Sequence, residues 1–270
     1  MVGGISLPRM IIGSNWLLGW SHRSPSADGF IISRNKNKEA IADIICAYLR
    51  YGINAVMSPH SQELFDGIKL AEDRAGKKVH IIYTPVINVD DTAEARKEAE
   101  AEIKCGADNG AAFCLPHHYS VEQLVNKNKR TIKRLPDYLS MVRTHGMLPG
   151  VSAHMPELIQ FSDEQGYDVE TYIQIYNCMG FLMQMEIELI HDIIHNAKKP
   201  VITIKPMAAG RVTPFVGITF SFATLRECDM VTVGCLTPEE VHEDVEIGLA
   251  AIERRKPDLE GRASPKSILD

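Results

Sequence analysis

No Cys-x-x-Cys pair occurs among the six cysteines, Cys46, Cys105, Cys114, Cys178, Cys228 and Cys235, which argues against a structural zinc site. Several of them sit inside apolar runs, where a free thiol behaves as a small hydrophobe. No run approaches the roughly 18 consecutive apolar residues that a membrane-spanning helix needs. The opening MVGGISLPRMIIG lacks the charged region and long apolar stretch of a secretory signal. A reducing, cytoplasmic setting without membrane contact is expected. A basic stripe is missing as well. The net charge is −6, and Lys and Arg cluster only at residues 126–133 (NKNKRTIK), which read as a solvated helix face. A nucleic-acid partner is therefore not expected. Neither His-x-His nor His-Glu-x-x-His occurs, so no local motif announces a metal.

What the chain does have is a regular alternation. With 270 residues, 45% of them hydrophobic, it can bury one large core, and an α/β barrel commonly reaches this length as one domain. Short β-branched runs recur at residues 10–12, 53–57, 79–86, 111–115, 148–152, 169–176, 201–204 and 230–233, the pattern of strands buried on both faces. Helical stripes follow them: Ile41, Ile44, Ile45 and Leu49 within 38–51, Leu64, Ile68 and Ala71 within 62–75, and Ile187, Ile190 and Ile194 within 186–199. Residues 92–104 are rich in Ala and Glu. Residues 238–255 start behind Thr237 with Glu240 three positions on, a capping box. Eight strand–helix units predict a (β/α)8 TIM barrel, a single α/β domain over residues 1–270. The barrel occupies about 10–255, followed by an irregular tail at 256–270. A doubly wound sheet is the alternative, but it seldom needs eight such even repeats. The polar stretch 21–38 reads as a loop over the barrel mouth.

Barrel logic gives the sequence a direction, because catalytic groups sit at the C-terminal ends of the strands. Those ends carry Asn15, Ser58 and His60, Thr84 and Asn88, His117 and His118, Ser152 and His154, Tyr176 and Asn177, Lys205, and finally Cys235 and Thr237, with His22 above them. Imidazoles from separate strands, His60, His117 and His154, with His118 as an alternative, match the ligand set of a catalytic zinc, manganese or iron ion with one position open to water. Lys205 then serves as a cation for an oxyanion or, when desolvated, as an amine nucleophile. Two plainer readings stand beside this one: a metal-free pocket using one or two histidines for acid–base work, and a barrel with no catalytic role. Trp16 and Trp20 either wall the mouth or belong to the core.

Four segments carry a family resemblance: HGMLPGVSAHMPELI, YIQIYN, VITIKPMAAGRVTP and DMVTVGCLTPEEVHEDVEIGL. In this order and spacing they resemble the second half of an aldo-keto reductase. The resemblance covers about residues 52–249 and is weaker in its first half. It implies a nicotinamide-dependent reductase working with an Asp, a Tyr, a Lys and a His, in which the Tyr protonates the carbonyl and the cofactor delivers hydride. This chain departs from that set. Met57 stands where the Asp is expected and Pro85 where the Lys is expected, and no tyrosine follows Met57 at the usual distance, where Pro59 and His60 stand instead. His117 alone matches. In the family the tyrosine corresponding to Tyr176 stacks on the nicotinamide.

The leading expectation is thus a metal-assisted hydrolase, lyase or isomerase acting on a small polar metabolite, with His117, Lys205 and Tyr176 in the chemistry. Gly210, Gly234 and Thr237 would cradle a phosphate after the seventh and eighth strands. An NAD(P)-dependent oxidoreductase with a histidine as proton donor is the alternative, and a non-catalytic barrel is the third. A divalent metal is expected. NAD(P) is disfavoured, because the last loop has no Arg for the 2′-phosphate and carries Glu239, Glu240, Glu243 and Asp244. A homo-oligomer is left open.

Overall fold

The structure is a computed structural model that describes residues 1–35 and 37–259. Eight parallel strands close into a barrel: β1 Met10–Gly13, β2 Ala55–Ser58, β3 His80–Tyr83, β4 Ala111–Cys114, β5 Leu148–Ala153, β6 Thr171–Ile175, β7 Val201–Ile204 and β8 Met230–Val233. Each strand pairs with its neighbours in sequence. The ring closes through Met10↔Val231, Ile11↔Thr232 and Ile12↔Val233. The alternation therefore produces the (β/α)8 fold that it predicts.

The two-residue period of a strand sorts side chains into two layers. Ile11, Ala55, Ile82, Phe113, Ile173 and Ile202 pack along the axis. Val2, Ile5 and Leu7 join them, and a bridge between Val2 and Ile5 folds this segment back on itself at the N-terminal end of the barrel. The opposite strand faces pack against helices. Buried tyrosines are prominent there, and each hydroxyl finds a partner. Tyr83 donates to Glu102, Tyr172 to Asp163 Oδ1 at 2.6 Å, and Tyr48 to the Val233 carbonyl at 3.1 Å.

The helices begin where polar caps satisfy their first amides. Asn37, Ser61, Thr92 and Thr237 open helices Lys38–Arg50, Gln62–Ala75, Ala93–Asp108 and Pro238–Glu253, each accepting from an amide three residues on. Below the barrel, the buried Asp229 binds the Val201 amide and the Arg226 guanidinium, while Arg9 Nε donates to the Asp229 carbonyl at 2.7 Å. No helix among the described residues is long and apolar enough to cross a membrane.

Two segments differ from the sequence reading. Residues 126–133 are not a helix face: Val125–Asn126 and Thr131–Ile132 pair as an antiparallel hairpin. Asn126 Oδ1 accepts the Lys129 amide, and Arg130 adopts φ +50°, so the turn is fixed locally. The charges then pair with the helix Glu157–Gln165 after β5, as Lys127–Glu157 at 3.0 Å and Arg130–Glu164 at 2.5 Å. The stretch 21–38 contains a helix, Pro25–Arg34, started by the Ser24 cap and Pro25 at its first position. Of the predicted tail, residues 256–259 carry no regular element, and 260–270 lie outside the described residues.

Close packing between β5 and its neighbours yields one test. A Cβ on Gly150 would lie 2.5 Å from the Thr171 carbonyl oxygen and 2.7 Å from Leu115 Cγ. The nearer neighbour is backbone and cannot swing away. Gly150→Ala is expected to lose about 1–3 kcal/mol of stability or more, read from chemical denaturation midpoints. An unchanged midpoint would show that this part of the barrel packs differently.

Candidate active site

A cavity of about 980 Å3 opens at the C-terminal ends of the strands. Its floor is apolar, from Met57, Ile173 and Ile204, and its wall carries a few polar groups, the usual make-up of a small-molecule site. Both tryptophans of the chain, Trp16 and Trp20, line it. The Thr232 hydroxyl at the end of β8 is buried there with no hydrogen-bond partner.

Lys205 follows β7 directly. Its backbone is left-handed, φ +61°, which costs a residue with a side chain about 1–3 kcal/mol. The turn is held by the Ala208 amide donating to the Lys205 carbonyl at 2.9 Å. The side chain enters the cavity wall, where burial pushes its ammonium down to about 8. Nζ lies 3.1 Å from His22 Nε2. His22 belongs to the insertion after β1, and its Nδ1 lies 3.1 Å from the Trp20 carbonyl. A carbonyl can only accept, so Nδ1 carries the proton and Nε2 accepts from the lysine. Burial and then the lysine charge lower the basicity of His22.

Three more imidazoles face Lys205 from β4 and β5. His117 is placed by its own amide, which donates to the Pro85 carbonyl at 2.7 Å. Its Nδ1 accepts the Tyr119 amide at 3.3 Å, which leaves the proton on Nε2. Burial, His118 and Lys205 hold its pKa down to about 4, with Glu122 opposing. His154 is pushed lower, to about 3, by burial first and then by His118 and Lys205. His118 stacks on His154 with ring centroids 3.5 Å apart and planes 20° from parallel. Below them Glu122 Oε1 accepts the amides of His154 and Met155 at 2.6 and 2.8 Å, and Oε2 lies 3.9 Å from His118 Nδ1. Burial acts to raise the Glu122 carboxyl, but these donors together bring it below its ordinary value.

The structure thus brings together Lys205, His117, His118 and His154, with His22 added from the insertion. Gly210 and Gly234 line the same cavity. Three expected residues lie elsewhere. His60 is exposed on the outside, edge-on to Phe65 and 3.3 Å from Cys105 Sγ. Tyr176 shares the outward face of β6 with Tyr172, so its ring packs on Phe220 and its hydroxyl bonds Thr224 Oγ1 at 3.0 Å. Thr237 is a helix cap, accepting the Glu240 amide, while Glu240 accepts the Leu236 amide at 2.7 Å.

The expected zinc, manganese or iron centre finds no support. Among the described residues no group of three or more His, Cys, Asp or Glu is placed to hold an ion. With His60 outside and His118 stacked face to face on His154, the ring nitrogens lie in nearly parallel planes and do not converge on a point.

Glu122, Arg211 and Arg23 went unnoticed in the sequence. Arg211 lines the cavity, and Arg23 Nη1 would lie 3.5 Å from a Cβ on Gly210. Glu122 had a signal, since it stands four residues after His118 in a helical turn, the spacing that brings two side chains together.

The two depressed histidines can be tested directly. In a proton NMR titration the His117 and His154 ring signals are expected to stay at their neutral positions from pH 8 to 5 and to move only toward about pH 4 and 3. The unfolded chain binds these protons near pH 6.5 and the folded one does not. Below 6.5 the unfolded state is therefore favoured, and this share of stability is lost progressively as pH falls through the folded values. Titration of both rings near 6.5 would contradict the burial described.

No family model and no curated protein sequence matches the chain. Solved structures do match in fold. A candidate aldo-keto reductase from Pseudomonas aeruginosa aligns with a TM-score of 0.65 at 12% identity, over 92% of this chain and 93% of that one. An aldo/keto reductase from Brucella melitensis gives 0.55 at 13%, over 93% and 95%. Aldose reductase from Giardia lamblia gives 0.56 at 11%, over 92% and 90%. The chain shares the barrel fold of these reductases, and at these identities the likeness concerns the fold alone.

Proposed function

We propose that the chain is an oxidoreductase that reduces a small polar carbonyl compound with hydride from a nicotinamide nucleotide. The observation that carries this reading is Lys205, a half-buried ammonium sharing one cavity with His117 and His154. The likeness of the barrel to aldo-keto reductases adds to it.

The residues present suit such a cofactor on one side. Gly210 has φ +78° and no side chain between its backbone and Arg23, and Arg211 follows it on the cavity wall. This turn after β7 suits a diphosphate. The β8 side is acidic, with Glu240, Glu243 and Asp244 on the wall. Acidic groups suit ribose hydroxyls and repel a 2′-phosphate, which favours NADH over NADPH. When bound, the nucleotide supplies the hydride.

The chain's own groups handle the oxygen. The Lys205 ammonium and the His117 Nε2–H both donate toward the cavity and stabilise the negative charge that grows on a carbonyl oxygen as it is reduced. Lys205 then passes its proton to that oxygen, and His22 holds the resulting amine through Nε2. His117 and His154 are neutral at pH 7, so the proton donor is a lysine instead of a histidine.

Both tryptophans line the cavity, so NADH is expected to quench most of the protein's fluorescence, and to do so more strongly than NADPH at equal concentration. Lys205→Met is expected to keep this quenching while losing at least 100-fold in reduction of small aldehydes. In the wild type that reduction should fall as pH rises through about 8, where Lys205 loses its proton. Absence of quenching at millimolar NADH would remove the proposal.

A further inference from the structure

We infer that Lys205 is also a nucleophile: with His22 beside it, Nζ adds to the carbonyl carbon of a small aldehyde or ketone and forms an imine. This goes beyond reduction. It rests on the reading of the cavity as a carbonyl site, not on a nucleotide being there.

Position supports it first. An amine nucleophile must be held in an apolar, water-poor cavity with its lone pair facing the substrate and no carboxylate fixing it as a cation. Lys205 lines the cavity with Met57, Ile173 and Ile204 and the imidazoles, and its Nζ hydrogen-bonds a neutral nitrogen acceptor, His22 Nε2, at 3.1 Å. The groups around it come from every side of the cavity. His22 is on the β1 insertion, His117 and His154 follow β4 and β5, and Arg211 lies beyond β7. Glu240, Glu243 and Asp244 line the cavity on the side of the neighbouring β8, and burial lowers the lysine. At about 8, roughly a tenth of the amines are free at pH 7, against about three in ten thousand for an ordinary lysine.

The chemistry balances within these groups. The Nζ lone pair attacks the carbonyl carbon, and a C–N bond forms as the C=O electron pair moves to oxygen. The His117 Nε2–H hydrogen-bonds that oxygen and keeps its proton. His22 Nε2 accepts the proton that the attacking nitrogen sheds and returns it to the oxygen, giving a carbinolamine. The nitrogen lone pair then forms C=N as the C–O bond breaks, and the second nitrogen proton, relayed by His22, leaves with the hydroxide as water, giving the imine. A bound nicotinamide that reduced this imine would leave a dead secondary amine on Lys205, so the activity belongs to the cofactor-free chain.

The test is reductive trapping. The full chain, without nucleotide, is incubated with pyruvate or glycolaldehyde and sodium borohydride, then weighed intact and peptide-mapped. One reduced adduct on Lys205 is expected, several-fold more abundant at pH 9 than at pH 7. Lys205→Arg keeps a cation but is expected to lose the adduct, and His22→Ala to lower its yield at pH 7. No adduct, or labelling spread over surface lysines with no excess at Lys205, would overturn the inference, and the wild-type map alone decides this. Quenching by NADH without an adduct sinks this inference and leaves the reductase reading; an adduct without quenching does the reverse.

Discussion

Closure of β1 on β8 is the contact on which the rest of the molecule depends. It joins segments some 220 positions apart, and it removes the two edges that an open sheet would expose. The closure is reinforced from below. Arg9, just ahead of β1, reaches the carbonyls of Asp229 and Arg226, just ahead of β8. The buried Asp229 carboxylate is in turn neutralised by Arg226, a pair whose single partners would be costly to leave alone. Since the ring is parallel throughout, every strand delivers its last residue to the same end. Lysine, imidazoles and tryptophans that are far apart in sequence therefore meet around one opening.

The character of that opening follows from an imbalance of charge and solvent. Lys205, His117 and His154 are partly removed from water, and the field of the lysine presses on both imidazoles. Where several bases share a dry space, the one with the greatest intrinsic proton affinity keeps its proton and the others give theirs up. Lys205 thus keeps its proton at neutral pH while His117 and His154 are neutral. Pro85 shows how the chain departs from the reductase set it resembles. It stands where an ammonium is expected, and its carbonyl instead seats the His117 amide.

The barrel was legible because a buried parallel strand leaves an apolar run and its helix leaves a stripe. Strand ends likewise pointed to Lys205, His117 and His154. The failures have specific causes. Tyr176 ends a strand, but two-residue alternation puts it with Tyr172 against the helices. His60 lies two residues past β2, beyond Pro59, where the chain has already left the rim and meets Phe65 and Cys105. The ligand triad dissolved because histidines near one another need not converge; ring stacking between His118 and His154 is invisible in a string of letters. Residues 126–133 misled because charge alone does not distinguish a helix face from a hairpin, and the Asn126 side chain decides for the turn.

His22 is supplied by the connection between the first strand and its helix, not by the barrel wall. The strands that close the barrel and the segment that sets a neighbour beside Lys205 are therefore different parts of the chain. A change confined to that one excursion would alter what the Lys205 ammonium faces while the pairing of the eight strands stays as it is.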